Sequence, residues 1–178
     1  MTPSSPFPTP NGWAFVPLTQ VADIRLGKML SPKAQEIGLV RRRYLRNDNI
    51  RWGHIELGDV KEMGFRPEEL VRYAVEPGDL LVCEGGEPGR CAVYRGPSGA
   101  LMYQKALHRV RPHSDVCISD LLQRWLRHLA FSGALVPKIA QTTIQHLPLE
   151  RFLEVEIPLP PLAEQQRIVA ALDQHITR

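Results

Sequence analysis

Cysteine is scarce. Cys83, Cys91 and Cys117 are the only three in 178 residues, an odd number without close pairing, which leaves no disulfide framework to build on. There is no CxxC or HExxH, and the six histidines are scattered, so the ligand spacing of a structural zinc site is missing. No GK[ST] follows a glycine-rich stretch, which removes the phosphate cradle of a P-loop. Neither an Asn-Pro-Pro-Tyr-like segment nor a glycine-rich cofactor loop after a strand occurs, which disfavours methyl transfer within the chain. No apolar run approaches the roughly 20 residues of a membrane span. Met1 to Pro10 holds four prolines and no apolar block, unlike a secretory leader. These absences point to a reducing cytoplasm, with no membrane partner.

Charge of one sign is also in short supply, the net formal value being only +3. Its distribution says more. Arg41, Arg42, Arg43 and Arg46 fall within six residues, and Lys105, Arg109 and Arg111 form a second group with His108. Such clusters suit phosphates, because each neutralised phosphate releases counterions. Exposed arginine is also ordinary on a solvated edge. The 43% apolar and 23% charged content is that of a globular domain with a core.

Short apolar segments separated by turn residues dominate the first two thirds of the chain. Trp13 to Leu26 reads as one or two strands with a bend at Pro17. Gly27 to Gly38 reads as a loop, Val40–Tyr44 and Leu45–Ile50 as strands, and His54–Leu57 as a short strand. Pro67 opens a helical turn. Pro77-Gly78-Asp79 is a turn between two strands, Glu84 to Arg90 a glycine-rich loop, and Cys91–Tyr94 and Leu107–Val110 further strands. This spacing predicts an α+β domain built on a curled, mostly antiparallel sheet. Leu121, Leu122, Trp125, Leu126 and Leu129 repeat at helical spacing from Ser119 on, with Gly133 placed to end that helix. Val155–Ile157 reads as a last strand.

From Leu162 onward there is neither Gly nor Pro. Leu162, Val169 and Ile176 are seven apart, with Leu172 between them, which is the spacing of a helical seam for a partner helix or a second copy. The expected organisation is a lead at 1–12, a domain at 13–160 and the start of a longer helix at 161–178.

The segment Ile157-Pro158-Leu159-Pro160-Pro161-Leu162-Ala163-Glu164-Gln165-Gln166-Arg167-Ile168-Val169 resembles the junction that closes a target-recognition domain in type I restriction–modification specificity subunits. Tyr44-Leu45-Arg46-Asn47-Asp48-Asn49-Ile50, Pro77-Gly78-Asp79-Leu80-Leu81-Val82 and Gly89-Arg90-Cys91-Ala92 resemble earlier motifs of the same family, in the same order. Trp13 to Leu26 and Ile144 to Leu153 match its opening strand and the segment before its last one. The family loop often reads Gly-x-x-Gly followed by a small residue, whereas Glu87 and Pro88 intervene here. A complete subunit of that family has two recognition domains and two long helices, and this chain has the pattern of one domain and the start of one helix.

The resemblance implies a chain that does no chemistry. It would read one half of a bipartite site on double-stranded DNA. Methyltransferase subunits would bind S-adenosylmethionine, and a motor-nuclease subunit would use Mg and ATP. A single-domain chain could also form a homodimer through its last helix. Reading needs side chains for phosphates and side chains for base edges. Arg41, Arg42, Arg43, Arg46 and Lys105 suit phosphate or guanine. Asn47, Asn49, Gln104 and Gln141 suit adenine edges, Tyr44 and Tyr103 sugars, and Thr142 and Thr143 phosphate or a thymine methyl. Asn47 and Asn49 may equally be turn caps by residue type, and Trp52 is either a reading-face aromatic or a core residue. Two other readings stand beside this one. The first is an assembly module that binds protein without reading DNA. The second is a metal-dependent nuclease built on Asp59-Val60-Lys61. The DNA reading requires the arginines and amides to share one surface.

Overall fold

A computed structural model describes residues 10–30, 39–140 and 145–176, with the backbone alone for His175 and Ile176. Its centre is strand β7 (Leu80–Cys83), all four of whose residues are buried. Alternation sends Leu80 and Val82 to one face, where they meet Leu122, Leu126, Phe152 and Ile157. Leu81 and Cys83 face the other way, toward Leu45, Ile50, Val75 and Tyr103. A strand with no polar position must be covered on both sides, and the elements around it are arranged to do this. Each such side chain contributes roughly 1.5–3 kcal/mol by leaving water.

The central sheet has the order β2 (Ala22–Leu26), β10 (Leu107–Pro112), β7 and β8 (Cys91–Val93), antiparallel throughout. One face carries α2 (Ser119–Phe131) and the short α3 (Leu149–Leu153). The other carries a second sheet of β6 (Lys61–Phe65), β3 (Val40–Leu45) and β9 (Met102–Tyr103), with α1 (Glu69–Tyr73) beside it. β3 pairs antiparallel with β6 and parallel with β9. A hairpin, β4 (Ile50–Arg51) and β5 (His54–Ile55), and the pair β1 (Ala14–Pro17) with β11 (Glu156–Leu159) complete the strands. The chain ends in α4 (Leu162–Ile176). The expected α+β class is the one observed.

Four expectations give way locally. Leu45–Ile50 is no strand, because the Asn49 side chain bonds Arg46 N, Glu56 O and Asp59 O and folds Asn47–Asn49 into a 3-10 turn. Only one strand follows Tyr73, since Ala74 makes an isolated bridge to Met102 and the chain then turns at Gly78. Glu154 lies at the end of α3, paired with Lys138 at 2.8 Å, and not on a strand. The second basic group is internal: Arg109 is 2% exposed and reaches Asp23 at 2.5 Å. Arg111 grips the buried Asp79 with two bonds of 2.7 and 2.8 Å, and that carboxylate holds its pKa above the usual value.

Two buried polar groups fix how elements meet. Gln165, fully buried on α4, donates to Val116 O at 2.8 Å and Pro160 O at 2.9 Å and accepts from Ile118 N at 3.0 Å. It therefore pins the terminal helix to the segment that starts α2. Replacing it with leucine orphans three backbone groups. The expected cost of Gln165→Leu is about 3 kcal/mol, read as a melting temperature roughly 10 °C lower.

His108 on β10 is fully buried, stacks on Phe152 and bonds the Leu147 carbonyl through Nε2 at 2.8 Å. A carbonyl accepts, so Nε2 carries the proton. Burial lowers its pKa, against the opposing pull of Leu147, Glu84 and Glu150. The unfolded chain takes up a proton near pH 6.5, while the folded one resists until lower pH. Stability is therefore whole above that point and lost as pH falls. His108→Gln should flatten the decline in unfolding free energy between about pH 7 and 5, measured by denaturant titration.

Candidate functional site

At one end of the central sheet five backbone segments converge. β2 and β7 finish there, and β8 and β10 begin there. The segment after β3 joins through Gln104 N to Leu45 O at 3.0 Å. Residues 145–147 join through Leu147 N to Glu84 O at 2.6 Å and the bridge between Gly85 and His146. The loops here are tied to the sheet, so side chains on them are held in place.

The turn Gln104–Leu107 is the most constrained part of this rim. Leu107 N closes it on Gln104 O at 3.1 Å, and Ala106 has φ 92°. It is the only residue other than glycine with positive φ among the described residues. That geometry belongs to the third position of a type II turn, where glycine is usual. Lys105 N bonds Lys28 O at 2.7 Å, and Ala106 O accepts from Glu84 N at 2.9 Å. Gly27 lies so close to the Gln104 carbonyl that a Cβ there has no room. The turn is thus clamped from both sides while the Gln104 and Lys105 side chains, both half-buried, make no hydrogen bond or ion pair among the described residues. Ala106→Gly should relieve the turn by about 1 kcal/mol and raise the melting temperature by roughly 3 °C.

A second group stands beside it. Asn47 donates to Gly85 O at 2.8 Å, and Arg90 donates to Asn47 O at 3.1 Å and to Glu87 at 2.9 Å. Glu87 in turn accepts from the Trp52 indole at 2.8 Å. Trp52 is a half-buried aromatic against Phe131 and the first core cluster.

The residues singled out from the sequence separate into groups. Arg41, Arg42 and Arg43 are all exposed on β3, but alternation sends Arg41 and Arg43 to one face and Arg42 to the other. Arg41 leans on Glu62, its Nε 3.6 Å from the carboxylate. Arg43 has no partner among the described residues. Arg46 is committed to Asp48 and Asp59, which also places Asp59 of the suspected nuclease motif in an ion pair. Tyr44 and Tyr103 are core residues with no ring face to offer, and Asn49 is consumed inside its turn. The sheet therefore corrects the expectation that these three face a ligand. Gln104 and Lys105 sit on the constrained turn. Gln141, Thr142 and Thr143 lie outside the described residues. On α4, Leu162 and Val169 are half-buried, Leu172 is 41% exposed, and the Ile176 side chain is outside the description.

Gly27, Ala106 and Arg90 were not read as parts of a site. Their signal is contact across the chain, which adjacency in sequence does not carry.

The thiols add no reactivity here. Burial pushes Cys83 up to about 11 and Cys117 to about 12, and raises Cys91 further. Among the described residues, no group of three or more His, Cys, Asp or Glu is placed to hold a metal. None of their helices is long and apolar enough to cross a membrane.

Residues 10–178 match the family described as type I restriction modification DNA specificity domain. A Haemophilus influenzae protein named as a type I restriction enzyme specificity subunit is 28% identical over 156 residues, covering 80% of this chain and 39% of that protein. The specificity subunit named for the MjaX enzyme of Methanocaldococcus jannaschii is 27% identical over 130 residues, or 64% of this chain and 29% of that one. The crystal structure of the HsdS subunit from Thermoanaerobacter tengcongensis superposes with a TM-score of 0.69 at 25% identity, over 97% of this chain and 39% of that one. A chain from a structural study of complex assembly and conformational transition in a type I system superposes at 0.73 with 24% identity, over 99% and 41%. The chain thus spans about two fifths or less of each of these relatives.

Proposed function

The chain belongs to the type I restriction modification DNA specificity domain family, as one recognition domain of a specificity subunit, and from that premise we propose that it binds double-stranded DNA and reads one half of a bipartite site. The observation that carries this reading is the family match across residues 10–178, which includes every described element. The rim at the end of the central sheet supports it. Lys105 and Gln104 stand unpaired on a turn that cannot easily move. A positive charge suits a phosphate or guanine, and a glutamine amide suits the paired donor and acceptor of adenine. Arg43 lies on β3 two residues before the strand's end at this rim and is free to meet the backbone of the same duplex.

In this reading the chain carries no chemistry and needs no cofactor of its own. Methyltransferase subunits supply S-adenosylmethionine and the methyl transfer. A motor-nuclease subunit supplies ATP-driven cleavage with Mg. The seam on α4 takes a partner helix or the same helix of a second copy, and the assembly works in the cytoplasm.

The test is duplex binding by the full chain, measured by fluorescence anisotropy against salt. Affinity should fall steeply between about 50 and 200 mM salt. Lys105→Ala should weaken binding to all sequences alike and lower the salt slope by about 1, whereas Gln104→Ala should relax preference at one base position, at a cost of about 1–3 kcal/mol there. Reversing Arg42 and Arg43 to Glu should weaken binding further. Affinity that is flat with salt and indifferent to all four changes would reject the proposal.

A further inference from the structure

All three tryptophans of the chain, Trp13, Trp52 and Trp125, line one groove of about 740 Å³. Phe131, Ile168 and Leu172 line it with them. Phe131 is 66% exposed, a large aromatic surface left in water. The polar ends of two of the indoles are already satisfied inside the molecule. Trp52 donates to Glu87 at 2.8 Å and Trp125 to Glu156 O at 2.9 Å. Their rings are therefore fixed without occupying the groove. Rigid aromatic anchors around a depression are the composition of a protein-binding hot spot.

The walls define what fits. One wall is α2, whose Leu121, Trp125 and His128 stand at helical spacing along the groove. The other is α4, through Ile168 and Leu172. This face lies beside the Leu162–Val169 seam and is distinct from it. Two helices flanking an apolar trough accept the ridge of a third helix.

The rim sets the sign of the occupant. Arg124 is paired with Asp173 and Asp120. Those bonds use the groove's only lining carboxylate, that of Asp173. Arg127 lies over the Phe131 ring, 5.5 Å from its centroid, and has no carboxylate partner among the described residues. His128 stacks on Trp125 at 5.3 Å. The uncompensated charge at the rim is positive. A second copy docking here about a two-fold axis would set Arg127 and His128 against their own equivalents, which argues against self-association through this face.

We infer that this groove docks an amphipathic helix of a partner protein, apolar along one face and acidic along its flanks. The site is independent of DNA reading, and DNA is a poor occupant for an apolar trough. It is nonetheless wired to the reading rim. Trp52 holds Glu87, Glu87 holds Arg90, and Arg90 holds the Asn47 carbonyl beside Gly85.

Because every tryptophan lines the groove, intrinsic fluorescence reports its occupancy. The probes are two helical peptides of about 20 residues, with leucine at helical spacing and either glutamate or lysine on the flanks. The full chain should bind the glutamate peptide with a saturable tryptophan signal, about fivefold more tightly than the lysine peptide. Arg127→Glu should reverse that preference. Phe131→Asp, at an exposed position, should keep the melting temperature and lose about thirtyfold in affinity. The inference fails if the two peptides bind alike, if the charge reversal leaves their order unchanged, or if Phe131→Asp binds normally. It also fails if sedimentation shows a dimer of the chain that Phe131→Asp dissociates, because the groove is then filled by a second copy.

Discussion

Strand β7 offers no side chain to water, and this constraint organises the molecule. Leu80 and Val82 require a layer on one side, Leu81 and Cys83 a layer on the other. Two antiparallel layers and two helices supply it. Because β7 and β10 are enclosed, the polar work of the molecule is driven to the ends of strands and the outer faces of helices. The rim of clamped loops lies at one such end, and the aromatic groove on one such face. Their separation follows from having a core in the middle that excludes both.

Electrostatics follow the same logic. Arginine is plentiful, but the core claims part of it. Arg109 and Arg111 are spent holding Asp23 and Asp79, and Arg46 holds an acidic pair. Burying such groups is tolerable only because each has a carboxylate in reach. What remains for a ligand is Arg42, Arg43, Lys105 and Arg127, spread over two different surfaces. The shared basic surface expected for the whole arginine cluster is reduced to Arg43 with the Gln104–Lys105 turn, and Arg42 faces away from Arg41 and Arg43.

Much of the fold was legible because its signals are local. The helical repeat from Leu121 to Leu129 placed α2, and the Gly133 stop proved right, with φ 77° just past the helix. The junction motif placed β11 and α4. The short strands β6 and β9 carried no such signal: Lys61–Phe65 has no alternation, and Met102–Tyr103 is too short to show a period. The site was legible by residue type and not by use. Asn49 and Gln104 are both amides in polar stretches, yet one is a buried tie and the other stands free. Only the path of the backbone around them separates the two. Gln165 is the sharpest case, since the sequence placed it as one more position on a helical seam, whereas it is the polar bolt at the base of that helix.

The pairing of β1 with β11 brings the first strand of the domain alongside the last, in register from Ala14 with Leu159 to Pro17 with Glu156. Everything between residues 18 and 155 is thereby a closed excursion that leaves and returns through a single doorway. A different excursion with the same doorway would join the same helix at the same angle. Changes in the far loops can therefore alter what the domain grips without altering how it is mounted.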